Sequence, residues 1–582
     1  MHQQILTKFR LFSKKAFKLI AQTTILTKQN FMFCFCFYCS VHMKKLNYLI
    51  VVLLIAAIFS ACINTNGSKH DNTPKDSLMD VIKWNKSIIG NYSPQTSLRF
   101  DSTEIDGFIK TYPNLAVYAD DIHKFYSNRK FAYAWFDKKG LIEQAGNLNS
   151  RIQHLGDEGL SAKVPYSEKL DTLMQALNGN KKDITTELML TANYFAFSKI
   201  AWQGNLNDKD IQSMDWFLPR KKLDYQKYLE EIVTEPKSKL LSKDPAFRQY
   251  ELLKGNLKRY NDLAVNEKWE PIKLEKKSLK VDDSTLSVKQ IRHRLMLLGD
   301  LKTDNESEKY DEELLTAVKQ FQLRHGLTAD GTIGPGFMSN LNISPKQRFQ
   351  QILVNIERSR WVPEKISGTH LIVNIPSFSL YAFRSDTLDW SCNVVVGKAL
   401  NQTVVFNGEL KYIVFSPYWN VPPSIVRKEI LPYMRSNANY LAKHNMEITG
   451  YQGKLPVIRQ LPGTSNSLGL VKFLFPNSFN IYLHDTPSKS LFTEDQRAFS
   501  HGCVRVGEPK KLAAYLLRND STWTDAKITA AMNAGKERTI TLKQTVPVYI
   551  GYFTAYVDHN GLLNFRKDIY NRDKRLEEML YK

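Results

Sequence analysis

Near His370 the hydrophobic periodicity of this 582-residue chain changes, and the change divides what the chain can fold into. Upstream, apolar residues recur at the three- and four-residue spacing of amphipathic helices. Thr185 to Trp202 and Tyr225 to Val233 are clear stretches; Val288, Ile291, Leu295 and Leu298, then Leu314, Ala317, Val318 and Phe321, repeat the pattern. Downstream, short runs alternate or are wholly apolar: Leu371 to Ile375, Ser379 to Phe383, Cys392 to Val396, Tyr412 to Phe415, Leu470 to Phe475 and Ile481 to Leu483. Short strands so closely spaced argue for a mostly antiparallel β domain. A chain of this length exceeds a single core. The expected fold class is therefore multidomain α+β: a helical scaffold, a small three-helix module and a β domain carrying an inserted helical subdomain.

The boundaries follow from where each pattern stops. Residues 78–275 read as the helical scaffold, 270–283 as a Lys- and Asp-rich linker, and 284–345 as the three-helix module, whose helices stop at Gly299, Gly326 and near Leu341. The β domain spans 365–558. Its strands are interrupted after Pro422-Pro423, so that 424–462 reads as inserted helices and loops, and a helix is expected from Pro509 to about Leu517 with Pro in the first turn. Residues 559–582 are expected to be a C-terminal tail.

The first residues read as targeting sequence. After Met43 come Lys44-Lys45, an apolar run from Tyr48 to Phe59, and Ser60-Ala61-Cys62, so 43–61 has the layout of an export signal. A twelve-residue apolar run is short for a bilayer span. Residues 1–42 then read as an upstream extension and 62–77 as a polar tether. The formal charge is +22, of which residues 1–61 supply +8, with no acidic residue among them. The remaining positive residues are mixed with acids along the chain, so no nucleic-acid partner is expected, and anionic envelope polymers or membrane surfaces are the better match. Cys34, Cys36 and Cys39 precede the signal, Cys62 ends it, and only Cys392 and Cys503 remain, which excludes a disulfide framework. No metal site and no cofactor is expected, since no second ligand pair accompanies the first three cysteines and no His-Glu-x-x-His occurs.

Chemistry concentrates at Ser500-His501-Gly502-Cys503 and at His484, nineteen residues earlier at the end of a strand-like run. A thiol needs a base or a cationic neighbour to act as a nucleophile at neutral pH. His484 on a strand adjacent to Cys503 would be that base. Gly502 permits a tight turn that aims main-chain N–H groups at a developing oxyanion, with Ser500, His501 and Arg505 in support and Arg505 able to hold a carboxylate. Cys392, in an apolar run, reads as a core residue.

This constellation resembles the L,D-transpeptidase (YkuD) motif, a His followed after a fixed interval by Ser/Thr-His-Gly-Cys. Tyr418 to Pro423, Asn466 to Phe475, Leu483 to Pro487 and Asp568-Ile569-Tyr570 are similar to the large multidomain YcbB type of that family. Ala317, Val318, Phe321, Gln322, His325, Gly326, Leu327, Asp330, Gly331 and Gly334 resemble the signature of a peptidoglycan-binding module, although the same residues also suit the core and turns of that small fold. Ser60-Ala61-Cys62 resembles a lipoprotein signal, implying a lipid anchor at Cys62 and a periplasmic location. The resemblance implies acyl transfer between peptidoglycan stem peptides as donor and acceptor. Cys503 would form a thioester at the third residue, and His484 would be oriented by a backbone carbonyl such as that of Asp485. Trp419, Asn420 and Asp485 would border the cleft, and the insert would form a lid. Water in place of the acceptor amine would make a carboxypeptidase or endopeptidase. Loss of activity would leave a wall-binding lipoprotein.

Overall fold

The computed structural model describes residues 97–160, 162–177, 181–234, 247–363 and 365–580. The upstream extension, the signal, Cys62 and the tether lie outside the described residues. Among the described residues, no helix is long and apolar enough to cross a membrane, and no group of three His, Cys, Asp or Glu side chains is gathered to hold a metal.

The scaffold is helical and built around α1 (Ile184–Gln203). Asp183 caps its N-terminus, accepting from the Thr186 N–H at 2.7 Å. The helix is apolar on nearly all sides, which suits burial on all sides: helices Thr103–Thr111, Ala119–Asn128 and Glu143–Gln153 surround it. Helix Tyr225–Thr234 also packs on it.

The module contains the three expected helices, Leu286–Leu297, Glu312–Arg324 and Pro335–Leu341. The segment expected as a linker is instead packed. Ile272 and Leu279 enter the module core, and the Ile272 N–H donates to Asn342 Oδ1 at 3.0 Å. Most of the signature residues serve the fold itself. Gln322 donates to Asp330 Oδ1 at 2.8 Å and accepts from the Gly331 N–H at 2.9 Å. His325, kept neutral by burial, stacks between Phe321 and Phe565, with ring centroids 3.8 and 5.7 Å away.

Helix α2 (Pro345–Trp361), absent from the sequence reading, joins the parts. Ser344 and Gln347 form a capping box at its start. Its last turns bury charge that is satisfied across boundaries. Arg360 donates to the carbonyls of Ala201 (2.9 Å) and Glu158 (2.6 Å) in the scaffold, and Arg358 pairs with Asp573 near the C-terminus at 2.5 Å.

The β domain is one sheet of nine strands: β1 (His370–Asn374), β2 (Ser379–Arg384), β3 (Thr387–Gly397), β4 (Phe406–Phe415), β5 (Val471–Leu474), β6 (Leu483–His484), β7 (Ala498–Ser500), β8 (Val504–Val506) and β9 (Arg538–Gly551). The order is β7-β3-β8-β6-β5-β4-β9-β1-β2, and β2 pairs again with β3, so the sheet closes on itself through that long strand. Closure removes the long edges that an open sheet would present, leaving short β7, paired with β3 alone, outside the ring. Pairing is antiparallel except for β9–β1, β6–β8 and β7–β3. Val394, Val396, Ile413, Phe473, Leu483, Val504 and Val506 point inward to the core.

Two expectations need correction here. The insert is not simply helical: after short helical turns at 423–436 and Tyr440–Lys443 it forms a hairpin, Met446–Gln452 with Leu455–Gln460, that also pairs with Trp419–Asn420. Residues 559–580 are not a loose tail. Leu563–Phe565 pairs with Ala555–Val557, and helix Arg572–Leu580 packs against α2.

Candidate active site

The site lies where β5, β6 and β8 run side by side. His484 is opposite Arg505 in the parallel β6–β8 pair and opposite Lys472 in the antiparallel β5–β6 pair. Side chains at paired positions share a face, as do residues two apart along a strand. Cys503 stands two residues before Arg505, and Tyr482 two before His484. Lys472, Tyr482, His484, Cys503 and Arg505 therefore occupy one face of the sheet. The opposite face carries Phe473, Leu483 and Val504 into the core.

His484 is buried, and its Nδ1 donates to the Asp485 carbonyl at 2.5 Å. That bond favours the tautomer with the proton on Nδ1 and the lone pair on Nε2, and the Leu468 main chain also approaches the ring. Burial, then the Arg505 guanidinium, hold the imidazole well below its usual range, at about 3, so it is neutral at physiological pH. Burial pushes the Cys503 thiol up, and the Tyr482 main chain and phenol and the Arg505 charge oppose the shift without cancelling it. The resting pair is thus thiol and neutral imidazole rather than thiolate and imidazolium. The S–H is directed to the Asn480 carbonyl, 3.6 Å away, and no hydrogen bond joins the sulfur to the His484 ring. The two groups are diagonal neighbours across adjacent strands, so proton transfer requires the thiol to turn from Asn480 toward the imidazole.

The turn before Cys503 is braced from within. Buried Ser500 donates from Oγ to the Cys503 carbonyl at 2.5 Å and accepts from the Gly502 N–H at 3.2 Å. The Gly502 donor is therefore engaged, whereas the Cys503 N–H meets no acceptor among the described residues. Gly502 adopts a φ of 114°, which L side chains rarely tolerate.

His501 Nε2 meets Glu429 Oε1 of the insert at 2.7 Å, tying the turn before Cys503 to the insert. Arg505 has no carboxylate partner among the described residues, and its Nε is buried without an acceptor. Asp485, expected in the cleft, is instead buried support. Its carboxylate accepts from the N–H groups of Leu470 (2.8 Å) and Thr486 (2.7 Å) and from Lys489. Trp419 packs into the core of the insert, and Asn420 is exposed on the strand beside it. Cys392 is half-buried against the main core with its thiol pushed up to about 11 by burial.

Tyr482 and Lys472 were missed by sequence reasoning. Strand alternation from His484 would have found Tyr482; Lys472 needed the β5–β6 register.

The support for His484 has a sharp steric requirement. Gly469 has φ 61°, and a Cβ there would lie 2.4 Å from the Asp485 carboxyl carbon. Gly469→Ala should displace Asp485 and with it the carbonyl that holds the imidazole, lowering acylation of Cys503 on the order of 100-fold. Kinetic assay of the purified variant checks this, and a loss under about threefold would mean that Asp485 does not orient the ring.

Residues 368–548 match the family described as "L,D-transpeptidase catalytic domain" (YkuD), residues 120–257 match a "Scaffold domain", and residues 284–341 match a "Putative peptidoglycan binding domain". The chain thus carries a YkuD L,D-transpeptidase catalytic domain joined to a scaffold domain and a peptidoglycan-binding domain. A protein of Haemophilus influenzae named "Putative L,D-transpeptidase" is 33% identical over 243 residues, covering 39% of this chain and 49% of its own length, so the chain spans about half of that relative. An L,D-transpeptidase structure from Stackebrandtia nassauensis is 18% identical, covering 47% of this chain and 96% of its own, with a TM-score of 0.20. One from Xylanimonas cellulosilytica is 14% identical, covering 48% and 99%, with a TM-score of 0.16.

Proposed function

We propose that the protein is a peptidoglycan L,D-transpeptidase that links the third residues of two stem peptides through a thioester on Cys503. The observation that carries this reading is the single sheet face holding Cys503, a buried neutral His484 whose Nδ1 is held by the Asp485 carbonyl, and Arg505, which has no carboxylate partner among the described residues. His484 Nε2 takes the thiol proton as sulfur attacks the carbonyl carbon between the third residue and the terminal D-Ala. The Cys503 N–H meets the oxyanion. Collapse breaks the amide, and the leaving amine takes the proton back from His484. The side-chain amine of a second stem then attacks the thioester, gives its proton to His484 and releases the thiol. Arg505 is placed to bind a carboxylate of the stem. The insert, tied to the motif through Glu429 and His501, shields the thioester from water.

Export and lipidation at Cys62 would tether the enzyme in the periplasm facing its polymer. Fatty-acid labelling that persists in Cys62→Ser would remove the anchor from this proposal. For the chemistry, incubation with purified tetrapeptide muropeptides should give a cross-linked dimer and free D-Ala, absent in Cys503→Ala. Tripeptide product without dimer would instead make the enzyme a carboxypeptidase. No acyl-enzyme and no product would leave only wall binding.

A further inference from the structure

Thr403, which no feature of the sequence singles out, is fully buried behind the nucleophile turn. Its Oγ1 accepts from the Gly397 N–H at 3.0 Å and donates to the Gly502 carbonyl at 2.8 Å. The residue is itself held on its other polar atoms. Its N–H donates to the Tyr570 hydroxyl at 3.3 Å, which in turn donates to the Gly397 carbonyl at 2.5 Å, and its carbonyl accepts from Arg572 at 3.3 Å. Two residues on, Val405 exchanges main-chain hydrogen bonds with the scaffold: its N–H donates to the Asp215 carbonyl at 2.9 Å, and its carbonyl accepts from the Phe217 N–H at 2.6 Å.

The Gly502 carbonyl and the Cys503 N–H belong to one planar trans peptide unit and point in opposite directions. Fixing the carbonyl on Thr403 therefore fixes the direction of the N–H. That N–H is the main-chain donor left available at the nucleophile, since Ser500 occupies the Gly502 N–H. We propose that Thr403 is a positioning residue that aims the Cys503 N–H at the oxyanion, and that Tyr570, Arg572 and the scaffold segment Asp215 to Phe217, bridged to Val405, hold Thr403 in place. The inference rests on the reading of Cys503 as the acylated nucleophile. It also gives the scaffold a chemical role, because the peptide plane at the nucleophile is braced by residues from both ends of the folded chain.

The experiment compares two reactions of Cys503 in the full chain. Acylation by a carbapenem develops an oxyanion; alkylation by iodoacetamide does not. Thr403→Val keeps the shape and removes both hydroxyl hydrogen bonds. Its acylation rate should fall on the order of 100-fold, as when an oxyanion donor is lost, while its alkylation rate stays within about twofold and Thr403→Ser restores acylation to near wild type. A residue that merely stabilises the fold would move both reactions together. Wild-type acylation in Thr403→Val, equal loss in both reactions, or failure of Thr403→Ser to rescue would each overturn the proposal. If Thr403→Val does not fold, Tyr570→Phe, which removes the hydroxyl bridging Thr403 and Gly397, decides by the same comparison, with a smaller acylation loss expected and none overturning it. A wild-type protein never acylated by carbapenem or stem peptide would instead overturn the transpeptidase reading itself, and the role of Thr403 with it.

Discussion

His484→Gln should slow acylation of Cys503 by on the order of 10² to 10⁴-fold, the range that a positioned general base contributes, and the loss should depend on pH in a defined direction. In the wild type the imidazole is neutral above about 3, and the thiol, pushed up by burial, stays protonated beyond neutrality. The reactive pair, thiol plus neutral imidazole, is therefore populated throughout the window between those two ionisations. General-base acylation should be flat with pH across it. Without the base only the thiolate reacts, and below the thiol's pKa its fraction rises about tenfold per pH unit. The variant's deficit should consequently be largest in acid and shrink steadily as pH rises. A resting thiolate–imidazolium pair would require the opposite shifts, the thiol lowered and the imidazole raised, and alkylation by iodoacetamide would then already be on its plateau in mild acid. Acylation followed by intact mass between about pH 5 and pH 9 separates these cases. A Gln variant with the wild-type rate and profile would remove His484 from the mechanism.

The features that could be read in advance are those with one local cause. Helix Ile184–Gln203 was legible as a helix-length stretch over Thr185 to Trp202, but not as the amphipathic helix expected there: it is buried on nearly all sides, so its apolar residues do not keep to one face. The motif also led to adjacent strands: Leu483–His484 runs beside Val504–Arg505, directly after Cys503. Helix Pro345–Trp361 was not legible, because Glu357, Arg358 and Arg360 break its apolar periodicity and read as solvent-facing, whereas all three are buried against partners more than a hundred residues away or on the same turn. The hairpin in the insert was hidden for a related reason: Tyr451, Val457 and Ile448 are exposed while Pro456 and Ile458 are inside, and the register shifts between Ile448 and Gly450, so alternation is blurred. Asp485 shows the limit at the site. Its neighbour His484 invited a place in the cleft, but its carboxylate caps the Leu470 N–H fifteen residues away, a contact set by the β5–β6 register.

The charged C-terminal segment carries the second large expectation. Asp573 accepts from Arg358 at 2.5 Å and from the Thr554 hydroxyl at 2.6 Å, and the Arg358 side chain is only 2% exposed. Asp573→Ala leaves that guanidinium buried without its anion, a change that costs about 3–5 kcal/mol where a buried pair is broken from one side. In a chain of several domains a single unfolding free energy is not defined, so the readout is the midpoint of the unit containing α2 and the β domain. That midpoint should fall by on the order of 10 °C. The cost comes from the stranded charge rather than from loss of a strong attraction, since desolvation cancels much of what the pair gains. Arg358→Met together with Asp573→Leu should therefore recover more than half of the loss. If Asp573→Ala alone stays within about 2 °C of wild type, water must already reach Arg358, and residues 559–580 do not clamp α2 to the β domain. If the double variant is as unstable as the single one, the pair itself supplies the stability, through a hydrogen-bond network with Thr554 and Asn355 that the apolar replacements cannot reproduce.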